Sequence, residues 1–233
     1  MKELWNFLGK MYDRINGFFF FKVMYKLNGF FFFKIAFGSR AFLSVRSILL
    51  SGTRKKVWDS EYKSGKWNYL KQLDELAHYS IIVGYFNYLK AGGSILDVGC
   101  GEGILQERLS PYAYSKYVGI DISDEAINQA SQKKDKKTFF IRAETNIYTT
   151  ESFDAIVFNE SLYYFDDPLK VLKEFELSLN RDGIFIISMY KGARGGLVEK
   201  LKSSYTFLDE TNVTNKLGAS WICMVLQPPN ESL

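Results

Sequence analysis

Short apolar runs alternate with helical stripes along most of the chain. Ile95, Leu96 and Val98 form a run suited to a strand buried in a parallel sheet. Gly99, Gly101 and Gly103 follow at alternate positions, where the chain must turn sharply and let a ligand near its backbone. Ile104, Leu105 and Leu109 then recur at helical spacing, and Pro111 is expected to close that helix. Tyr117 to Ile120 is a second buried strand, and its last step delivers Asp121. The alternation continues with Ser123 as a helix cap, Asp124 and Glu125 in the first turn, and Ile127 and Ala130 facing inward. Strands are expected over Thr138 to Ile141 and Phe153 to Phe158. Asp167 caps a helix with Pro168 at its first position and a stripe of Leu169, Leu172, Phe175 and Leu179. Asn180 to Gly183 reads as a turn into a strand over Ile184 to Met189. The glycine-rich stretch Lys191 to Gly196 is a candidate substrate lid, followed by a helix near Leu197 to Leu201 and strands near Tyr205 to Leu208 and Trp221 to Leu226. Ahead of all this, Leu73, Leu76, Ala77, Ile81, Ile82, Tyr85, Phe86 and Leu89 mark a leading helix that Gly92 and Gly93 end. Strands alternating with helices predict a doubly wound α/β sheet over roughly residues 57 to 228.

The first 56 residues do not fit that pattern. The heptapeptide NGFFFFK occurs at Asn16 to Lys22 and again, identically, at Asn28 to Lys34. Leu4, Trp5, Leu8, Met11, Tyr12 and Ile15 make a helical stripe before these blocks, and Ala41 to Leu50 is a further expected helix. Four consecutive phenylalanines cannot all face one side of a helix or a strand, so something must cover the rest. One reading is an interfacial membrane segment, with rings at the acyl boundary and lysines at anionic headgroups. The other is a helical arm packed on the domain or on a second protomer, its lysines simply solvated. An arm for nucleic acid is disfavoured, because phenylalanine tetrads exceed what base stacking needs.

Charge sharpens the division. The net charge of +4 combines a first segment, residues 1–56, with eleven Lys and Arg against only Glu3 and Asp13, and a remainder that is net acidic. The domains expected are therefore a basic, Phe-rich helical arm over 1–56 and a second unit over 57–233. A hydrophobic fraction of 47% and a charged fraction of 24% are ordinary for a folded globular chain. Cys100 and Cys223 have no spacing that suggests a zinc site or a redox pair, which points to a reduced, cytoplasmic setting. No run of about 18 apolar residues reads as a membrane span, and MKELWNF lacks the marks of a signal peptide. No cluster of His, Cys or acidic residues has metal-ligand spacing, so no metal is expected.

The chemistry concentrates where the first strand meets its glycines. An acid at the tip of the second strand, about 20 residues past the glycine loop, is the usual partner of ribose hydroxyls, and Asp121 stands there. Asp97, two residues before the first glycine, would repel a pyrophosphate but suits a ligand carrying a cationic group, such as the ammonium of a methionyl tail. At this point the chain resembles the class I S-adenosylmethionine-dependent methyltransferases, through LDVGCGEG at Leu96 to Gly103 and Asp121 as the ribose acid. The resemblance implies an α/β fold: a doubly wound, seven-stranded Rossmann-like methyltransferase sheet with an antiparallel last strand, here preceded by the helical arm. It implies S-adenosyl-L-methionine as cofactor, held among Asp97, Gly99, Cys100, Gly101, Asp121, Ile122, Glu144, Thr145 and Asn159. In the family an acid just past the third strand accepts from the adenine amino group; Glu144 stands at that position, where Asp is commoner.

The acceptor side is expected beyond the fourth strand, where residues line the active site of an open α/β sheet. Glu160, Tyr163 and Tyr164 are candidates there. His78, on the leading helix and the single histidine, is either a buried residue with a satisfied hydrogen bond or a general base. The Pro-Pro-Tyr signature of enzymes that methylate base amino groups is missing after the fourth strand. The implied activity is methyl transfer to oxygen or nitrogen of a small-molecule or glycan acceptor, with a lipid-linked sugar at the inner face of a membrane as the version the arm suggests. The rivals are a non-catalytic adaptor that binds the cofactor only, and an NAD-dependent oxidoreductase, which Asp97 and the closing hairpin disfavour.

Overall fold

The computed structural model describes residues 54–143, 151–191, 193 and 195–229. The phenylalanine blocks, the helices expected in the arm, and Glu144 and Thr145 lie outside the described residues. The helices are α1 (54–63), α2 (Leu73–Leu89), α3 (Ile104–Arg108), α4 (Asp124–Ser131), α5 (Pro168–Phe175) and α6 (Leu197–Ser204). The strands are β1 (Ser94–Val98), β2 (Lys116–Asp121), β3 (Thr138–Arg142), β4 (Phe153–Asn159), β5 (Leu179–Tyr190), β6 (Thr206–Thr214) and β7 (Ser220–Gln227). Arg54, Lys55 and Lys56, the last basic residues before the expected boundary, belong to α1.

The seven strands form one sheet in the order β3-β2-β1-β4-β5-β7-β6. Strands β1 to β5 run parallel, and β7 is antiparallel to both of its neighbours. The expected seven-stranded doubly wound sheet with an antiparallel closing strand is therefore present. From β1 the chain steps outward to β2 and β3, then returns to place β4 on the other side of β1. That reversal opens a crevice at the carboxyl ends of β1 and β4, the place where open α/β sheets bind ligands.

The strand period sorts the core onto two faces. Leu96 and Val98 join Phe158, Leu172, Phe175, Phe185 and Met224 on one face. Ile95 joins Ile82, Phe86, Leu105, Tyr117 and Ile186 on the face that α2 and α3 cover. Asp97 has the parity of Ile95, so the pleat turns its carboxylate into this second layer beneath α2. Along α2 the buried positions are His78, Tyr79, Ile82 and Phe86, while Leu73, at 74% exposed, lies outside the core the sequence pattern assigned it to.

Three elements differ from the sequence reading. Helix α3 stops at Arg108, with Leu109 already extended, because Ser110 precedes Pro111 and a residue before proline disfavours the helical basin. Asn180 to Gly183 is an irregularity inside β5: pairing steps from Phe153 opposite Leu179 to Ala155 opposite Ile184. Strand β6 runs on to Thr214, well past Leu208, since an edge strand with one wet face keeps polar residues that hide it from hydrophobic patterning.

One carboxylate ties the far end of the sheet together. Asp154 Oδ2 accepts from the Ser94 amide at 2.7 Å and the Ser94 hydroxyl at 2.9 Å, and Oδ1 accepts from Asn180 Nδ2 at 2.6 Å. Burial alone would raise its pKa, but the donors from Ser94 and Asn180 prevail and hold it below the ordinary carboxylate range. Asp154→Ala leaves these donors unmatched and should lower the unfolding free energy by about 1–3 kcal/mol, read from denaturant midpoints. An unchanged midpoint would show that the link between β1, β4 and β5 is dispensable.

Candidate active site

The glycine loop is shaped by its neighbours rather than by flexibility. Gly99 and Cys100 donate their amides to the Ile120 carbonyl at 2.8 and 3.0 Å, which anchors the loop to β2. Gly99 has φ +79 and Gly101 φ +55. A Cβ at Gly99 would lie 2.6 Å from Ser161 Cβ, and one at Gly101 2.6 Å from the Tyr62 hydroxyl, so neither position admits a side chain. Cys100 is buried and packs against Gly119, and burial pushes its thiol well up; its contribution to the loop is its backbone.

Asp97 is 1% exposed. Its Oδ2 accepts from the Tyr117 hydroxyl, and its Oδ1 is buried with no hydrogen-bond partner. Burial pushes its pKa up to about 7, against the pull of the Tyr117 hydroxyl and with the help of nearby Asp121. A buried carboxylate oxygen without a donor is costly. A ligand ammonium delivered at the mouth of β1 would meet that unsatisfied oxygen.

Asp121 is arranged differently. Its Oδ2 accepts from the Gly101 amide at 3.0 Å and its Oδ1 from the Ser123 amide at 2.9 Å. Burial raises its pKa, opposed by the backbone donors of Ser123, Gly101 and Ile122. Each oxygen keeps acceptor capacity, which suits the two hydroxyls of a ribose. Ile122 contributes its amide to the same carboxylate. The residues present therefore fit the cofactor that the sequence motif implies: an orphaned acceptor at Asp97 for a cation, glycines that leave no room for side chains, and a hydroxyl-accepting acid at Asp121.

The segment ahead of α2 is strapped across this loop by residues the sequence reading did not single out. Asp59 on α1 accepts from the Ser123 hydroxyl at 2.7 Å and the Glu125 amide at 3.3 Å, capping α4 from outside. Lys55 pairs with Asp59 at 2.7 Å and with Asp124 at 2.6 Å. Lys71 pairs at 2.6 Å with Glu102, which is 3% exposed inside the glycine loop. The acid in LDVGCGEG was the one available signal for that pair; its lysine lies 31 positions earlier, beyond any local pattern.

His78, Asn159, Glu160 and Tyr163 come together across the ends of α2, β4 and β5. His78 is fully buried, its ring stacked on Trp221 at 4.9 Å and tilted against Tyr79 at 4.4 Å. Its Nδ1 lies 3.0 Å from the Asn159 side-chain amide and its Nε2 lies 3.2 Å from Glu75 Oε2. Both nitrogens are thus engaged and neither faces solvent. Asn159 spends its amide on His78 and Tyr79 at the floor of the crevice.

Glu160 is, among the described residues, the non-glycine residue with positive φ, at +55. Left-handed backbone at a non-glycine residue costs of order 1 kcal/mol or more and is tolerated where surroundings fix it. Its amide donates to the Ser188 carbonyl at 3.0 Å, its Oε1 accepts from the Ser188 hydroxyl at 3.2 Å and its Oε2 from the Tyr163 hydroxyl at 2.8 Å. Burial raises its pKa, countered by His78 and the two hydroxyls. Tyr164 lies beside Tyr163, ring centroids 4.6 Å apart, and continues into Trp58 of α1. Among the described residues no group of His, Cys, Asp or Glu is arranged to hold a metal ion, and no helix is long and apolar enough to cross a membrane.

Comparison with known proteins agrees with this geometry. A ribosomal protein L11 methyltransferase of Aquifex aeolicus is 36% identical over 101 residues, covering 42% of this chain and 40% of that protein. A mitochondrial ubiquinone biosynthesis O-methyltransferase of Candida albicans is 36% identical over 103 residues, covering 41% of this chain and 32% of that protein. The chain spans about half the length or less of such curated relatives. The crystal structure of the N-methyltransferase NodS from Bradyrhizobium japonicum WM9, in complex with S-adenosyl-L-homocysteine, superposes with a TM-score of 0.67 at 18% identity, over 76% of this chain and 98% of that one, which shows the shared fold. A family model described as a methyltransferase domain matches residues 89–225, which takes in β1 through β6 and most of β7. With the match spanning more than half of its length, the chain belongs to the methyltransferase domain family.

Proposed function

We propose that the chain transfers a methyl group from S-adenosylmethionine to oxygen or nitrogen of a small-molecule or glycan acceptor. The observation that carries the reading is the placement of two carboxylates, Asp97 and Glu160, that pair with no lysine or arginine among the described residues, at the ends of the adjacent strands β1 and β4. When bound, the cofactor supplies an electrophilic methyl on a sulfonium. Asp97 would hold the ammonium of its methionyl tail, the glycine-loop backbone would border its nucleoside, and Asp121 would accept from the ribose hydroxyls. Glu160 takes the acceptor's proton, its two oxygens aimed by Tyr163 and Ser188. His78, buried and fully engaged, holds Asn159 and the end of β4 in place, a positioning role in preference to that of a base. In-line placement of nucleophile and methyl supplies much of the rate. The relatives' names span a ribosomal protein and ubiquinone biosynthesis, and the structural neighbour is an N-methyltransferase. That breadth supports the cofactor half of the site as the shared part.

Glu160→Gln should lower turnover by about 100-fold or more while leaving S-adenosylhomocysteine affinity within about threefold. The assay follows label from methyl-labelled S-adenosylmethionine into fractionated extract of the source cells. Unchanged incorporation would remove Glu160 from the chemistry.

The reading extends to the arm. Residues 1–56 contact an anionic membrane surface, so that the acceptor is presented there, with a lipid-linked sugar as the glycan version. The repeated NGFFFFK block and the +9 charge of this segment support it. Lys22, Lys26 and Lys34 changed together to Glu should reduce cosedimentation of the full chain with phosphatidylglycerol vesicles by at least tenfold, at about 1 kcal/mol per lysine near the surface. A wild-type chain that stays in the supernatant would end the membrane reading and leave the packed arm.

A further inference from the structure

The acceptor end of the crevice has a chemistry more specific than a general hydroxyl or amine site. The Glu160 carboxylate accepts from the hydroxyls of Tyr163 and Ser188, at 2.8 and 3.2 Å, and from the Tyr190 amide, with the His78 ring nearby, and no lysine or arginine among the described residues pairs with it. Glu75, with 14% of its side chain exposed, spends its charge on the buried His78 ring. From Glu160, through Tyr163 and Tyr164, an aromatic wall runs on to the stretch that carries Trp58, Trp67 and Tyr69. Trp58 and Trp67 stack with centroids 5.3 Å apart, Tyr164 stands edge-on to Trp58 at 5.2 Å, and Tyr69 lies 6.1 Å from Trp67. The charge of Glu160 reaches the phenols of both Tyr69 and Tyr164 and, after burial, helps hold them un-ionised.

The chain itself already seats an ammonium on this wall. Lys66 Nζ lies 5.7 Å from the centroid of the Trp67 ring and pairs with Glu61, which is 7% exposed. An indole face backed by a carboxylate therefore binds a primary ammonium at one end of the wall. At the other end Glu160 offers a carboxylate that no lysine or arginine among the described residues pairs with. Aromatic faces attract ammonium groups through their quadrupole, and a partly desolvated carboxylate is costly until a cation meets it. A neutral hydroxyl can donate to the carboxylate but gains no charge pairing with it and no cation attraction from the ring faces.

We propose that the acceptor is a primary or secondary amine that enters as an ammonium ion between the Trp58, Trp67 and Tyr164 wall and the Glu160 carboxylate. This rests on the reading of the crevice as a methyl-transfer site. The ammonium gives one proton to Glu160, which frees the nitrogen lone pair. The nitrogen–carbon bond forms as the sulfur–methyl bond breaks, and that electron pair stays on sulfur. The sulfonium charge passes to the product, an N-methylammonium, and Glu160 later returns its proton to water. Burial that holds Glu160 above the ordinary carboxylate range makes it a better acceptor of that proton.

The test uses the full chain saturated with S-adenosylhomocysteine and two near-isosteric probes, benzylamine and benzyl alcohol, titrated at pH 7 by ligand-observed NMR. Benzylammonium should bind at least tenfold more tightly than the alcohol. That preference should fall below about threefold in Glu160→Gln and weaken in Trp67→Leu, with S-adenosylhomocysteine affinity in each variant showing that the fold is kept. Equal binding of the two probes, no binding of benzylammonium, or a preference that survives Glu160→Gln would each overturn the amine inference and leave the methyltransferase reading standing. Failure of S-adenosylhomocysteine itself to bind would remove that reading, and the inference with it.

Discussion

A parallel sheet buries the ends of its strands, and this chain places a carboxylate at two adjacent ends without pairing either with a lysine or arginine among the described residues. Asp97 sits under α2 because the pleat of β1 turns odd positions toward that face; the same pleat puts Leu96 and Val98 into the opposite core. Glu160 sits at the end of β4 in a left-handed backbone that Ser188 holds from the next strand. Desolvation costs of this kind are not tolerated in a structural core unless other groups repay them. The surrounding architecture follows from that constraint: glycines let Ser161 and Tyr62 close on the loop beside Asp97, Tyr117 satisfies one of its oxygens, and Tyr163, Ser188 and the Tyr190 amide donate to Glu160.

The strap ahead of α2 is the second consequence. Lys55, Asp59 and Lys71 reach from one continuous stretch to α4 and to the glycine loop, so the aromatic wall on that stretch is registered against the cofactor side of the crevice. Tyr62 lies over Gly101, and Trp58 lies edge-on to Tyr164 beyond β4. One segment therefore borders both halves of the site. Removing Lys55, Asp59 or Lys71 would be felt in cofactor and acceptor binding together, through side chains that touch neither ligand.

Much of this was legible in the sequence, and the reasons are specific. The β1–loop–α3–β2 stretch combines a strand run, three alternating glycines and an acid at the right interval, so periodicity, backbone geometry and chemistry agree over a few dozen residues. The central parallel strands β1, β2, β4 and β5 were legible because burial on both faces leaves them continuously apolar. The edge strand β6 was only half visible, since one wet face keeps it polar, and the irregularity in β5 mimics a turn in composition. His78 could not be assigned from its type: that its ring is sealed between Trp221, Tyr79, Asn159 and Glu75 depends on contacts from strands 81 and 143 positions away. The Lys71–Glu102 and Asp59–Ser123 contacts are likewise non-local pairs of common residue types. Asp97 is the instructive case, because the sequence placed a carboxylate beside the glycines and the fold shows that one of its oxygens is left without a donor.

That oxygen also offers the most direct measurement. S-adenosylhomocysteine and 5′-methylthioadenosine share the nucleoside but differ in the amino-acid tail, so the difference in their affinities isolates the tail. Calorimetric titration of both ligands into the wild-type chain and Asp97→Asn, at pH 6 and pH 8, closes a double-mutant cycle. The account predicts that S-adenosylhomocysteine binds the wild type far more tightly, that its advantage grows as Asp97 loses its proton through about pH 7, and that Asp97→Asn removes both the growth and most of the advantage. An advantage equally large and equally flat with pH in Asp97→Asn would contradict the assignment of Asp97 to the cofactor's ammonium.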